Sequence, residues 1–173
     1  IPVGVIGMSI LLQPDNASDN YQLKRVYAWL RPDEYPQDAM QQQNSIIAIG
    51  SGQLYGKGLN NDEVTSVKNG NFIAEAQTDF IFAVAGEETG FVGCCVLVIL
   101  EFLIALECLL VGRRAKLLSG TLICCGMAAQ IFFQTFINIS VATGLMPNTG
   151  ITLPFVSYGL TSLVSFCIGI GFV

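Results

Sequence analysis

The sequence predicts an all-α integral membrane protein, a multi-pass helical bundle that carries one large exported loop. Three observations support that expectation. Of the 173 residues, 52% are hydrophobic and only 12% are charged, whereas an average soluble domain has about a quarter of its residues charged. Two stretches, Phe80 to Val111 and Leu117 to Ile139, match the roughly 20 mostly apolar residues a helix needs to cross a bilayer. Between them, Gly112-Arg113-Arg114-Ala115-Lys116 gathers three of the eight basic residues into a short link. Such links stay in the cytoplasm, while long loops are translocated largely regardless of charge.

Taken in order, residues 1–12 are expected to be the end of a truncated span, since the run is apolar but too short to cross alone. With no initiator Met and no basic segment ahead of Ile1, it does not read as a signal peptide. Residues 13–78 form the extracytoplasmic loop, which opens where Gln13-Pro14-Asp15-Asn16 breaks the first run. Leu23, Val26, Tyr27 and Leu30 then recur at helical spacing, with Asp19 or Asn20 to cap the start and Arg31-Pro32 to end it. With Lys24 and Arg25 on the opposite face, this is either a helix lying in the membrane interface or a surface helix packed on the membrane domain.

Pro36 to Ile49 has proline at a helix-compatible first position, which predicts a second short helix. The glycine-rich turn Gly50 to Leu59 carries one cation, Lys57. It lacks the glycine spacing and the Ser or Thr of a Walker loop, but its N–H groups and lysine suit a phosphate. The spans at 79–111 and 117–139 follow, joined by the cytoplasmic link 112–116. Residues 140–160 are too broken by Gly and Pro for a helix and too apolar for an ordinary surface loop. Irregular backbone at membrane depth is tolerated only where it is buried or lines a wet cavity, so a re-entrant-type loop beside Asp79 is expected. Residues 161–173 start another truncated span.

Several chemistries drop out. All six cysteines lie in apolar segments without CxxC spacing, and there is no histidine, so the thiols read as small packing residues rather than a disulfide or zinc framework. Without imidazole, acid–base work falls to Asp, Glu, Lys or Tyr. A net charge of −5 gives no footing for nucleic acid. Glu101 and Glu107 sit within an apolar span, where a carboxylate costs about 2.5 kcal/mol or more unless paired. Being six residues apart, they do not share a face, and neither is assigned to the site. Gln130, Gln134 and Asn138 form a polar stripe at four-residue spacing, which either bonds neighbouring helices or lines a head-group cavity.

The most informative stretch runs from Glu75 to Gly90 and holds Thr78-Asp79-Phe80-Ile81-Phe82 at the foot of a span, followed by Glu87-Glu88. Together with Gly56-Lys57-Gly58-Leu59, Gly144-x-x-Pro147, Gly150, Leu153-Pro154-Phe155 and Ser157-Tyr158-Gly159, it resembles the SEDS family of cell-wall polymerases (RodA, FtsW and SpoVE). The resemblance covers essentially the whole chain and lies closer to the rod-shape RodA branch. Two positions depart from the family pattern. Asn148 stands where a Thr, Pro or aliphatic is usual, and Leu160 replaces a second glycine after Tyr158, which would stiffen a turn there.

That resemblance implies a fragment of a roughly ten-helix protein of the bacterial plasma membrane, which polymerises lipid II into glycan strands and works with a class B penicillin-binding protein. By the same resemblance Asp79 is the catalytic base. It would take the proton from an acceptor sugar hydroxyl that displaces a lipid pyrophosphate at the anomeric carbon, as carboxylate bases do in inverting glycoside chemistry. The leaving diphosphate requires a cation, an N–H cluster or a divalent metal such as Mg²⁺ or Mn²⁺. Lys57, Glu75, Thr78, Pro154 and Ser157 are the substrate-binding candidates, with Glu75 either tuning Asp79 or holding a metal. Asp79 also has a plainer reading as the N-cap of the following helix, a role compatible with catalysis and worth roughly 1 kcal/mol. Glu87 and Glu88 call for a structural cation partner. Two rival readings remain at this stage, a lipid II flippase and a non-catalytic scaffold for the penicillin-binding protein.

Overall fold

The computed structural model describes residues 21–32, 34–58 and 78–173, and every regular element among them is helical. Residues 1–12, the caps expected at Asp19 or Asn20, Leu59 and Glu75 lie outside the described residues. The helices are α1 (Tyr21–Leu30), α2 (Pro36–Ser51), α3 (Ile81–Arg114), α4 (Leu118–Ala142) and α5 (Leu160–Gly171). Pro36 occupies the first turn of α2, where its missing N–H costs nothing. Leu160, the departure from the family pattern, is the first residue of α5 and is exposed, so its side chain stiffens no turn.

The helices α3 and α4 are long and apolar enough to cross a membrane, yet only 22% and 28% of their most apolar windows are buried. A core helix of a water-soluble protein would be mostly covered; here Phe102, Leu103, Leu110, Phe132 and Phe133 all face outward. Where the two helices meet, many of the residues are small. Glu101, Ala105, Cys108 and Gly112 on α3 recur at helical spacing and are buried, as are Cys124, Ala128, Ile131 and Thr135 on α4. Small side chains let helix backbones approach closely where lipid offers no hydrophobic drive to associate. Three of the six cysteines (Cys94, Cys108 and Cys124) are buried in this way, and all six are free thiols. Glu101 is 4% exposed on this seam, and its Oε2 has no partner among the described residues. Glu107 is exposed.

At 34 residues α3 would run about 51 Å as a straight helix, well beyond a hydrocarbon core of about 30 Å. It is interrupted at Gly90, whose φ of 68° and ψ of −168° are not helical. An unbroken helix would pair the Phe91 N–H with the Glu87 carbonyl and the Val92 N–H with the Glu88 carbonyl. The glycine-rich turn takes all four groups instead. Phe91 N donates to Gln53 O (2.9 Å) and Val92 N to Leu54 O (3.2 Å), while Lys57 N donates to Glu87 O (2.9 Å) and Gly58 N to Glu88 O (3.1 Å).

The same insertion brings Lys57 Nζ to 3.0 Å from Glu87 Oε1, and Glu87 is only 3% exposed. Its cation therefore comes from this chain's own turn. Removing one partner of a buried pair leaves an uncompensated charge. Lys57→Ala should therefore lower the stability of the full-length protein by about 3 kcal/mol. The double variant Lys57→Met/Glu87→Gln should recover most of the loss, as read from thermal unfolding in detergent.

The helices α1 and α2 hold the C-terminal end of α4. A helix leaves its last carbonyls without internal partners, and side chains of α1 and α2 supply donors around this end. Gln42 Nε2 donates to Val141 O (2.8 Å) and Met146 O (2.7 Å), Ser45 Oγ to Ala142 O (2.8 Å), and Trp29 Nε1 to Gly144 O (2.8 Å). Gln42 and Ser45 are buried by this contact. Around it Ala48, Phe80, Ala83 and Val141 form one apolar cluster, with Phe82, Cys94, Ala142 and Leu153 in a second.

Candidate active site

Asp79 lies in the turn Thr78–Phe80 that leads into α3. The next side chain, Phe80, is completely buried against Ala48, Ala83 and Val141, so the turn is pinned by its aromatic neighbour while Asp79 stays partly exposed. The N-cap of α3 is Phe80, with no side-chain cap bond. The expected capping role of Asp79 is thereby corrected: the acid sits one residue too early, and burial of Phe80 decides where the helix starts.

Two polar clamps hold the backbone of this turn. Ser157 Oγ donates to Thr78 O at 2.7 Å and accepts from Leu153 N at 2.7 Å, and the residue is 8% exposed. Asn138 Nδ2, from the last turns of α4, donates to Asp79 O at 2.8 Å and to Ile151 O at 2.7 Å. The loop between α4 and α5 is thus tied to the carbonyls of both Thr78 and Asp79. Its own turn is tight: Val156 N reaches Pro154 O at 2.7 Å, with Phe155 at φ 57°. A bulky residue in that region is strained. Phe155 packs on Phe166 of α5, ring centroids 5.3 Å apart, which holds the strained turn in place.

A cation near Asp79 comes from α1. A Cβ placed on Gly150 would stand 3.4 Å from Asp79 Oδ2, 3.2 Å from Arg25 Nη1 and 3.9 Å from Arg25 Nη2. Acid and guanidinium therefore flank one small gap that Gly150, at φ 70°, leaves free of a side chain. Arg25 Nη1 also donates to Asn148 O at 3.4 Å, and Asn148 Oδ1 accepts from Gly150 N at 3.1 Å. The unusual Asn148 thus shapes the turn that presents Gly150.

The sequence candidates divide on this geometry. Thr78 and Asp79 are at the site. Ser157 and Pro154 are beside it but buried, and both bonds of the Ser157 hydroxyl go to backbone, so these two support the turn rather than face solvent. Lys57 is held at Glu87, which lies about two turns, roughly 12 Å, along α3 from Asp79. The structure brings Arg25 to the acid instead. Sequence reading placed Arg25 only on a polar helix face and Asn138 only in a polar stripe. The signal for Asn138 was that stripe, read as bonding neighbouring helices or lining a head-group cavity, and its bond partners lie in the Asp79 turn and the loop after α4. No group of three His, Cys, Asp or Glu side chains converges among the described residues. Glu75, the candidate metal holder, lies outside the described residues, and no step is derived through a metal.

Comparison with known proteins gives consistent results. The FtsW/RodA/SpoVE family, described as "Cell cycle protein", matches residues 1–173. The chain is 38% identical over 155 residues to the "Probable peptidoglycan glycosyltransferase FtsW" of Tolumonas auensis, covering 87% of this chain and 39% of that protein. It is 39% identical over 158 residues to the protein of the same name from Pasteurella multocida, covering 89% and 39%. With the Buchnera aphidicola protein, likewise so named, it shares 34% over 165 residues, covering 92% and 44%. The chain thus spans about two fifths of the length of the curated relatives it matches. These relatives carry the name FtsW and not RodA, so the expected placement in the RodA branch is without support. Among solved structures, a chain reported under "Structural coordination of polymerization and crosslinking by a peptidoglycan synthase complex" superposes with a TM-score of 0.64 at 29% identity, covering 99% of this chain and 46% of that one.

Proposed function

Because the chain belongs to the FtsW/RodA/SpoVE family of cell cycle proteins, we propose that the protein it comes from is a peptidoglycan glycosyltransferase of the bacterial plasma membrane that polymerises lipid II, with Asp79 as its base. The observation that carries this reading is the partly exposed Asp79: its Oδ2 and Arg25 Nη1 lie 3.4 and 3.2 Å from the Cβ position that Gly150 leaves empty. The acceptor sugar hydroxyl attacks the anomeric carbon of the donor as the bond from that carbon to the pyrophosphate oxygen breaks. The hydroxyl proton passes to Asp79, and the charge growing on the departing lipid pyrophosphate falls to Arg25, whose planar fork suits phosphate oxygens. Thr78, Pro154 and Ser157 serve by holding the turn. The basic residues at 113, 114 and 116 favour a cytoplasmic inner end for α3, which puts Asp79 at the outer face. The relatives' names support an FtsW-type role and the family description one in the cell cycle; the matched synthase complex, described as coordinating polymerization and crosslinking, is consistent with a crosslinking partner of the class B penicillin-binding type.

The test is to supply lipid II in liposomes to the purified full-length protein with its partner, scoring glycan strands and lipid translocation separately. Polymer is expected; translocation without polymer would identify a flippase. Neither product, with the partner still bound, would identify a scaffold. Arg25→Ala should lower kcat/KM for polymerisation about 100-fold, and Arg25→Lys should restore part of that, since lysine keeps the charge but loses the bidentate fork. Steady-state kinetics of strand formation decide both.

A further inference from the structure

We infer that Asn138 is a positioning residue for the base, fixing the Asp79 backbone relative to the loop that carries Gly150; this rests on the reading of Asp79 given above. Its side chain is 1% exposed, although it stands near the C-terminal end of an apolar helix. One amide nitrogen serves two carbonyls from separate segments, Asp79 O at 2.8 Å and Ile151 O at 2.7 Å. Both acceptors are oxygens, which fixes the orientation of the amide. The other end of the group, Oδ1, is buried with no hydrogen-bond partner among the described residues.

A buried acceptor left without a partner is costly. A side chain serving only helix packing could be apolar there and avoid that cost; Ile131, two turns earlier on α4, is such a residue, fully buried and aliphatic. What the amide does that an aliphatic group cannot is join the base's own peptide to Ile151, next to Gly150. Asp79 Oδ2 and Arg25 flank the position of a Gly150 side chain at 3.4 and 3.2 Å, so a shift of the loop against the turn changes the gap in which the reaction is proposed to occur. Ser157 holds the preceding carbonyl, so losing Asn138 loosens this link without releasing the whole turn.

The experiment compares Asn138→Leu and Asn138→Ser with wild type in the full-length protein, measuring kcat and KM for lipid II polymerisation alongside thermal stability. Asn138→Leu keeps the branched shape and the number of side-chain heavy atoms and removes both donors. It should lower kcat about 100-fold, the scale of a displacement near 1 Å at a reacting centre, with KM unchanged within about threefold. Asn138→Ser retains one hydroxyl donor and should fall between Asn138→Leu and wild type. If Asn138→Leu does not fold, the kcat of Asn138→Ser carries the test. Wild-type kcat in the folded variants overturns the inference, as does a loss of rate that follows the loss of folded protein. Asp79→Asn measured alongside separates the two readings. If it is inactive while the Asn138 variants run at full rate, only the positioning role fails; if it is fully active, the base assignment itself fails.

Discussion

Asp79→Asn in the full-length protein is expected to reduce lipid II polymerisation by about 1,000-fold or more, within the range by which a positioned general base accelerates proton transfer. The substitution is nearly isosteric and leaves the Asp79 main-chain carbonyl in place, so the bond from Asn138 Nδ2 at 2.8 Å persists. So does the anchoring of Phe80, which is completely buried. The loss should therefore fall on kcat while lipid II binding, expression and thermal stability stay near wild type. Asp79→Glu keeps the charge but moves the oxygens by about one methylene, and should remain roughly 100-fold impaired because a reacting group tolerates little displacement. Translocation of lipid II in vesicles should stay at background for wild type and both variants; translocation that survives Asp79→Asn while polymer is lost would identify a flippase. Polymerisation by Asp79→Asn at the wild-type rate would remove the acid from the mechanism.

Much of this arrangement was legible because it follows from patterns that survive without tertiary information. The apolar lengths of α3 and α4, the proline at the first turn of α2 and the helical spacing in α1 each depend on a few neighbouring residues, and helix type is the property such patterns fix best. Asp79 stood out as an acid at the edge of an apolar run. What pairs across the chain was harder to see. Lys57 looked like the phosphate-binding cation because it lies in a glycine-rich turn; in that turn Gly52 and Gly56 make close approaches to α3, and Lys57 pairs with the buried Glu87. Arg25 reaches the site from more than 50 residues upstream, through the docking of α1 and α2 on the end of α4. Ser157 was recognisable as a member of a motif, but a motif does not say whether a hydroxyl faces substrate or backbone; here it takes two backbone partners. The helix start at Phe80 rather than Asp79 is a case in which burial of one aromatic overrode a favourable cap.

Gly90→Ala is expected to destabilise the full-length protein by more than about 3 kcal/mol, because two independent costs coincide at one position. The backbone at φ 68° and ψ −168° lies in a region essentially reserved for glycine. A Cβ there would also stand 2.7 Å from the Leu54 carbonyl carbon and oxygen and collide with Gly56 N. Neither obstacle is a flexible side chain that can swing away. Both belong to the segment that pairs with the broken turn of α3, so relief requires withdrawing that segment and losing the four bonds from Gln53, Leu54, Lys57 and Gly58. Withdrawal would also separate Lys57 from the buried Glu87. The alternative, closing the break into a continuous helix, would pair Phe91 with Glu87 and Val92 with Glu88, leaving the turn's own groups unpaired against apolar surroundings. Gly126→Ala is the matched control: Gly126 lies within α4, and a Cβ there meets nothing within 4 Å. Since alanine is the better helix former by up to about 1 kcal/mol, that variant should melt at or slightly above the wild-type temperature. A Gly90→Ala protein as stable as Gly126→Ala would mean that the inserted turn does not hold the break in α3.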